Sequence, residues 1–151
     1  MEDWDMDKFN FKLEKVLDYK KIIEIDKKGE YGKAKQKLIK EENVLENYNR
    51  YKDNIKNERN LSIDKTNIAN LKLYNDYLLD IDRRILEQEK IVDKTKEKLE
   101  IAKDELLEAT KEKKTFERLK ENRYEEYLYS MKKEEEKIID TIVTFKGSVQ
   151  Q

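Results

Sequence analysis

Apolar side chains recur along this chain in steps of three and four residues, the spacing that keeps them on one face of an α-helix. A first series opens with Phe9, Leu13, Val16, Leu17 and Ile23 and continues through Tyr31, Ala34, Leu38, Leu45, Tyr48 and Ile55. From Tyr31 onward it fits a heptad with polar lapses at Glu41 and Lys52. A second series is more regular: Leu71, Tyr74, Leu78, Ile81, Ile85, Gln88, Val92, Thr95, Leu99, Ala102, Leu106 and Ala109. Sustained spacing of this kind predicts knobs-into-holes packing and a left-handed supercoil. The pattern places one helix over about 8–57 and a second over about 63–144, joined by a turn at about 58–62. Gly29 and Gly32 interrupt the first series at up to about 1 kcal/mol each relative to alanine. With no proline in the chain, they mark a weak or bent place inside one helix rather than its end. Heptad spacing lapses between Asn57 and Asp64, where Ser62 is the N-cap candidate for the second helix and Asn67 the alternative. So short a connection makes the helices antiparallel neighbours. The fold class expected is all-α, two long helices in an antiparallel coiled-coil hairpin.

The two arms differ in length. About 50 residues of helix span about 75 Å and about 80 residues about 120 Å, at 1.5 Å per residue. After Ala109 the register is expected to slip, because Lys113 and Lys120 fall where seam residues belong. The apolar stripe would run on through Phe116, Leu119, Tyr127, Met131, Ile138, Ile142 and Phe145. Folding back from a turn near residue 60 pairs Phe9 with roughly Lys111–Thr115. About thirty residues beyond Phe116 would then lack an intrachain partner and need something to cover them.

Composition narrows the class further. Charged residues make up 46% of the 151 and apolar ones 36%, too little for a thick core but enough for a narrow seam. Disordered chains of such polarity usually carry a large net charge. Here 34 Lys and Arg nearly cancel 35 Asp and Glu, finely interleaved, so the expectation is ordered helix. The pairs Glu24–Lys28, Glu46–Arg50 and Asp80–Arg84 stand at i,i+4 and add only about 0.2–0.5 kcal/mol each. Cysteine and histidine are both absent, which removes disulfides, thiolate and imidazole metal sites and Cys/His nucleophiles. The acidic residues 1–7 read as a flexible extension with no secretory h-region, and 146–151 as a flexible tail. No stretch approaches the ~18–20 apolar residues that span a bilayer, so no direct membrane insertion is expected.

The chemistry-bearing residues offer binding more readily than catalysis. Carboxylates are everywhere, but a two-helix hairpin lacks the concave pocket that would shift their pKa values. Gly29 and Gly32 lack the spacing and the following Lys-Ser/Thr of a phosphate loop. No catalytic, cofactor or metal residues are therefore assigned. One basic cluster, Lys111, Lys113, Lys114, Arg118, Lys120 and Arg123, is interrupted by Glu112, Glu117 and Glu121. That interruption argues against nucleic acid and leaves an exposed helix face or a dock for an acidic protein surface. Among nine tyrosines, Tyr48, Tyr51, Tyr74 and Tyr77 lie near the turn, with Tyr51 and Tyr77 off the seam. They offer either core packing or a contact patch.

Two stretches carry a resemblance. Phe9-x-Phe11-x-Leu13-x-x-Val16-Leu17 with Lys20 forms the first. The second is Leu106-Leu107-Glu108-Ala109, then Lys111-Glu112-Lys113-Lys114-x-Phe116-Glu117-x-Leu119-Lys120, with Tyr124, Tyr127 and Asp140 beyond. In these, and in length and hairpin position, the chain resembles the FliJ proteins of the bacterial flagellar type III export apparatus. It departs in Thr141, where the family often has an acidic residue, and in five residues before a possible start at Met6. The resemblance implies a non-enzymatic cytoplasmic component at the inner-membrane base of the flagellum, built like the central stalk of rotary ATPases. Its implied partners are the hexameric flagellar export ATPase, the cytoplasmic domain of the export gate, and export chaperones. Mapped residue by residue, the ATPase end falls on Phe9, Leu13, Leu119, Lys120 and Arg123. The export-gate end falls on Leu45, Tyr48, Tyr74, Leu78, Ile81 and Ile85, which periodicity alone assigns mostly to the core. The alternatives are a self-associating structural coiled coil and the equivalent stalk of a virulence-type secretion system.

Overall fold

A computed structural model of the chain describes residues 9–65 and 67–150. Two helices account for nearly all of them: α1, Glu14–Ser62, 49 residues, and α2, Ile68–Val149, 82 residues. They pack against each other as an all-α hairpin whose second helix is the longer.

The helix bounds differ from the sequence expectation at each end, for local reasons. Phe9–Leu13 does not join α1. The helix starts where the Glu14 N–H donates to the Phe11 carbonyl (3.1 Å) and the Leu17 N–H to the Leu13 carbonyl (2.9 Å). Glu14 in the first turn suits the positive end of the helix dipole. At the other end Asn57–Ser62 holds neither proline nor glycine, so α1 runs through the expected turn to Ser62. Ser62 therefore closes α1, its carbonyl accepting from the Lys65 N–H (3.0 Å), and does not cap α2. Asn67 does that: its Oδ1 accepts the Asn70 N–H at 2.9 Å. Gly147 does not stop α2, which continues to Val149 through much of the expected tail. The acidic extension 1–7 lies outside the described residues.

Contacts between the helices group into two units. In Ile25–Leu107, Ile55, Leu78, Ile81 and Ile85 form the buried core, with Leu45, Tyr48 and Tyr74 packed against it. The polar lapses in α1 remain seam positions and find polar partners. The Gln88 amide, itself buried, donates to the Glu41 carbonyl (3.0 Å) and carboxylate (2.6 Å). Lys52 pairs with Asp82. Buried Thr95 is satisfied within α2, its hydroxyl donating to the Ile91 carbonyl at 2.7 Å. Lys27 reaches both Glu105 (3.1 Å) and Glu30 (3.2 Å), and the bond to Glu105 first, then that to Glu30, holds its pKa above the ordinary 10.5. Gly29 and Gly32 sit inside the unbroken α1 with open space around the place a Cβ would take.

In the unit Met1–Glu24 with Glu108–Gln151, Phe11, Leu17 and Ala109 form the buried apolar part. The expected register slip after Ala109 does not occur. Lys113, Phe116 and Lys120 continue the three-four spacing and are all partly buried. The lysines hold seam positions because α1 sets carboxylates opposite: Lys113 on Glu24 at 3.0 Å and Lys120 on Glu14 at 2.8 Å. Lys20 meets Glu112 at 2.8 Å in the reverse sense. Glu24 retains only 5% of its surface. Its bond to Lys113 is the largest of the influences that raise that lysine's pKa above 10.5.

The pairing of Phe9 also differs from expectation. Its ring packs on Tyr124 (5.4 Å between centroids, edge-on) and Tyr127 (5.6 Å), not on Lys111–Thr115. The cause is that α1 ends at Ser62 and α2 starts at Ile68, so the chain reverses later than residue 60: the midpoints of Lys20–Glu112 and Lys52–Asp82 fall at residues 66 and 67. The unpartnered part of α2 is shorter in consequence. The uninterrupted exposed stretch starts at Lys132, not after Phe116, and includes Ile138, Ile142, Phe145 and Val149.

Three outcomes are expected from this packing. Leu17→Ala should lower unfolding free energy by about 2–5 kcal/mol in a denaturant titration, since Leu17 is fully buried. Gly29→Ala and Gly32→Ala should each raise it, by up to about 1 kcal/mol, because the added methyl meets nothing and the helix gains propensity. The raised lysines give a pH signature. Their contribution is fully present below the unfolded value of 10.5 and is lost as pH rises through the higher folded value. A melting-temperature series should therefore fall more steeply above pH 10.5 in the wild type than in Lys113→Met.

Candidate functional site

The short segment that enters α1 borders a groove on α2. Residues 9–13 are not helical: Phe9–Phe11 is irregular and Lys12–Leu13 form the turn that leads into α1, closed by the Glu14 N–H on the Phe11 carbonyl. Phe11 points inward and is buried. Phe9 is held by the rings of Tyr124 and Tyr127. Between this segment and α2 lies a groove of about 370 Å³ lined by Phe9, Asn10, Phe11, Lys12, Leu13, Leu119 and Arg123. A smaller hollow of about 170 Å³, lined by Phe9, Asn10, Phe11, Glu14 and Lys120, shares three of those residues.

The five residues assigned to the ATPase end thus converge on one place. Phe9, Leu13, Leu119 and Arg123 line the groove, and Lys120 lines the adjoining hollow. They are not equivalent chemically. Lys120 is engaged by Glu14 and works in the helix–helix seam. Arg123 stands out from α2, with a long 3.4 Å contact to Glu126 in which both side chains are more than 60% exposed. Lys12, from the entry segment, is exposed as well. The groove therefore offers an apolar floor and walls with two accessible cations, which suits seizing a side chain of another protein. Sequence reasoning left Asn10, Phe11 and Lys12 out of the site. The period-two alternation before Glu14 carried the signal that this stretch is not helix and can form a wall.

The basic cluster divides rather than forming one face. Lys113 and Lys120 turn into the seam, while Lys111, Lys114 and Arg118 are exposed. Only the exposed part is available to an acidic surface.

The residues assigned to the export-gate end are all seam residues in the structure. Leu78, Ile81 and Ile85 are buried, and Leu45, Tyr48 and Tyr74 pack on them. Their neighbours face out instead. Tyr51, Leu73 and Tyr77 are about half exposed, and Leu61, Ile63 and Ile68 at the turn are exposed. A hollow of about 370 Å³ lies among Glu58, Asn70, Leu73, Tyr74 and Tyr77. Tyr74 thus contributes to an outer surface as well as to the seam.

Among the described residues no group of acidic side chains is disposed to hold a metal ion, and no helix is long and apolar enough to cross a membrane.

Comparison with known proteins places the chain. The family model described as the flagellar FliJ protein matches residues 9–151. No curated protein sequence matches. Among solved structures, a protein of Chlamydia trachomatis, CT670, described as a YscO homolog, is similar at 24% identity and a TM-score of 0.60. The alignment covers 94% of this chain and 97% of that one, and shows a shared two-helix fold. With the family match extending from the entry segment through both helices, this chain belongs to the FliJ family of flagellar type III export components.

Proposed function

We propose that this protein is a non-enzymatic part of flagellar export that engages the hexameric export ATPase through the groove at Phe9–Leu13 and Leu119–Arg123, in the manner of a central stalk. One observation carries the reading: side chains far apart in sequence, Phe9, Leu13, Leu119 and Arg123, line a single groove. Apolar walls with a charged rim are the usual anatomy of a protein-binding hot spot. The protein works on the cytoplasmic side, near the inner membrane, held there by its partners.

The cytoplasmic domain of the export gate docks in this reading on the outer surface beside the turn. Leu45, Tyr48, Tyr74, Leu78, Ile81 and Ile85 matter to that contact by fixing the two helices, while Tyr51, Leu73 and Tyr77 are presented outward. Export chaperones are the third class of partner. A second reading, self-association, is favoured by one feature, the exposed stripe Ile138, Ile142, Phe145 and Val149. The virulence-type alternative ranks below the flagellar one, because the family matched is the flagellar one.

Purified protein added to the purified export ATPase should bind it at micromolar concentration and raise its hydrolysis rate, and Leu119→Asp should abolish both effects. Absence of binding by the wild type would refute the reading. Sedimentation separates the second one: a stable homodimer lost on Ile138→Asp would favour self-association.

A further inference from the structure

We infer that the groove is built for a particular kind of contact, a protruding apolar side chain of the partner with a carboxylate one or two residues away. The inference rests on the reading that the groove binds the export ATPase, and it specifies the chemistry of that contact.

Three observations lead to it. The groove's described lining is apolar at Phe9, Phe11, Leu13 and Leu119, and its only charged members are Lys12 and Arg123. No carboxylate is among those lining residues, although 35 of the 151 residues are acidic. In so evenly mixed a sequence, a hollow whose described lining carries charge only at two cations favours a negatively charged partner. Second, the neighbouring cation that could have joined them, Lys120, is taken by Glu14 at 2.8 Å, which separates a structural lysine from the accessible pair. Third, Arg123 is only loosely held. Its contact with Glu126 is long and solvent-screened, and a guanidinium has five donors, so it can accept a carboxylate without breaking a strong pair. The volume, about 370 Å³, is ample for one large apolar side chain. Phe9, pinned by Tyr124 and Tyr127, keeps the wall in place before the partner arrives. Pre-formed walls lower the ordering cost of binding.

The account is tested by titrating the full-length protein into purified export ATPase by calorimetry, with circular dichroism confirming that each variant keeps its helix. Lys12→Glu with Arg123→Glu should weaken binding by about tenfold or more, and Leu119→Ala by a similar factor. Lys12→Arg with Arg123→Lys should retain most of the affinity. Lys98→Glu with Lys103→Glu changes the net charge equally at two exposed positions remote in sequence from the groove and should bind as the wild type does. Wild-type affinity should fall as salt rises. If the groove reversal binds as tightly as the wild type while the wild type does bind, the inferred chemistry is overturned and the ATPase reading survives. If the reversal and the control pair weaken binding equally, attraction is diffuse and the inference is again overturned. A wild type that does not bind the ATPase at all removes both.

Discussion

The Glu24–Lys113 pair is the constraint from which the packing of the terminal unit follows. A carboxylate with 5% of its surface left cannot stay charged there without partners, because desolvation penalises it heavily. Lysine 113 supplies one such partner from the facing helix at 3.0 Å. That requirement is specific to register. Sliding one helix by a few residues would bury Glu24 against apolar or like-charged neighbours, whereas an all-leucine seam would tolerate the slip. Lys120 with Glu14 and Lys20 with Glu112 repeat the device in both senses of charge. Exposed pairs such as Arg50–Glu46, by contrast, hold nothing in place and add only about 0.2–0.5 kcal/mol.

The site inherits its form from this arrangement. With the register fixed, Phe9 arrives beside Tyr124 and Tyr127, and the entry segment is laid along α2 so that Leu119 and Arg123 close the groove. Because Glu14 occupies Lys120, the rim that remains accessible is Lys12 and Arg123. In the turn-containing unit the division of labour is different. There Ile55, Leu78, Ile81 and Ile85 hold the helices by apolar packing, and the surface contributed by Tyr51, Leu73 and Tyr77 is what stays outside.

Much of this was legible in the sequence, and the misreadings share a physical cause. Three-four spacing revealed both helices, the longer second arm and the seam from Leu71 to Ala109. Helix ends were harder, since Asn57–Ser62 looks like a turn but contains nothing that stops a helix. That error of a few residues in the turn doubled when projected onto the pairing of Phe9. Lys113 and Lys120 fall at seam positions but suggest a slip, because a charged side chain there has no apolar packing to offer and its partner is not visible locally. Periodicity of position persisted where periodicity of hydrophobicity lapsed, and the complementary glutamates lie some ninety or more residues away, where no local pattern shows them. The four residues that the resemblance grouped, Phe9, Leu13, Leu119 and Arg123, line one groove in the structure, and Asn10, Phe11 and Lys12 join them there by geometry alone.

Cross-linking tests the register most directly, and the absence of native cysteine makes it clean. Lys20→Cys with Glu112→Cys, joined by a short bismaleimide at high dilution, should give an efficient intramolecular cross-link, because those side chains meet at 2.8 Å across the helices. Lys20→Cys with Glu100→Cys, the pairing that a turn near residue 60 would require, should give almost none. The opposite outcome, cross-linking at 100 and not at 112, would contradict the charged seam and the groove that depends on it.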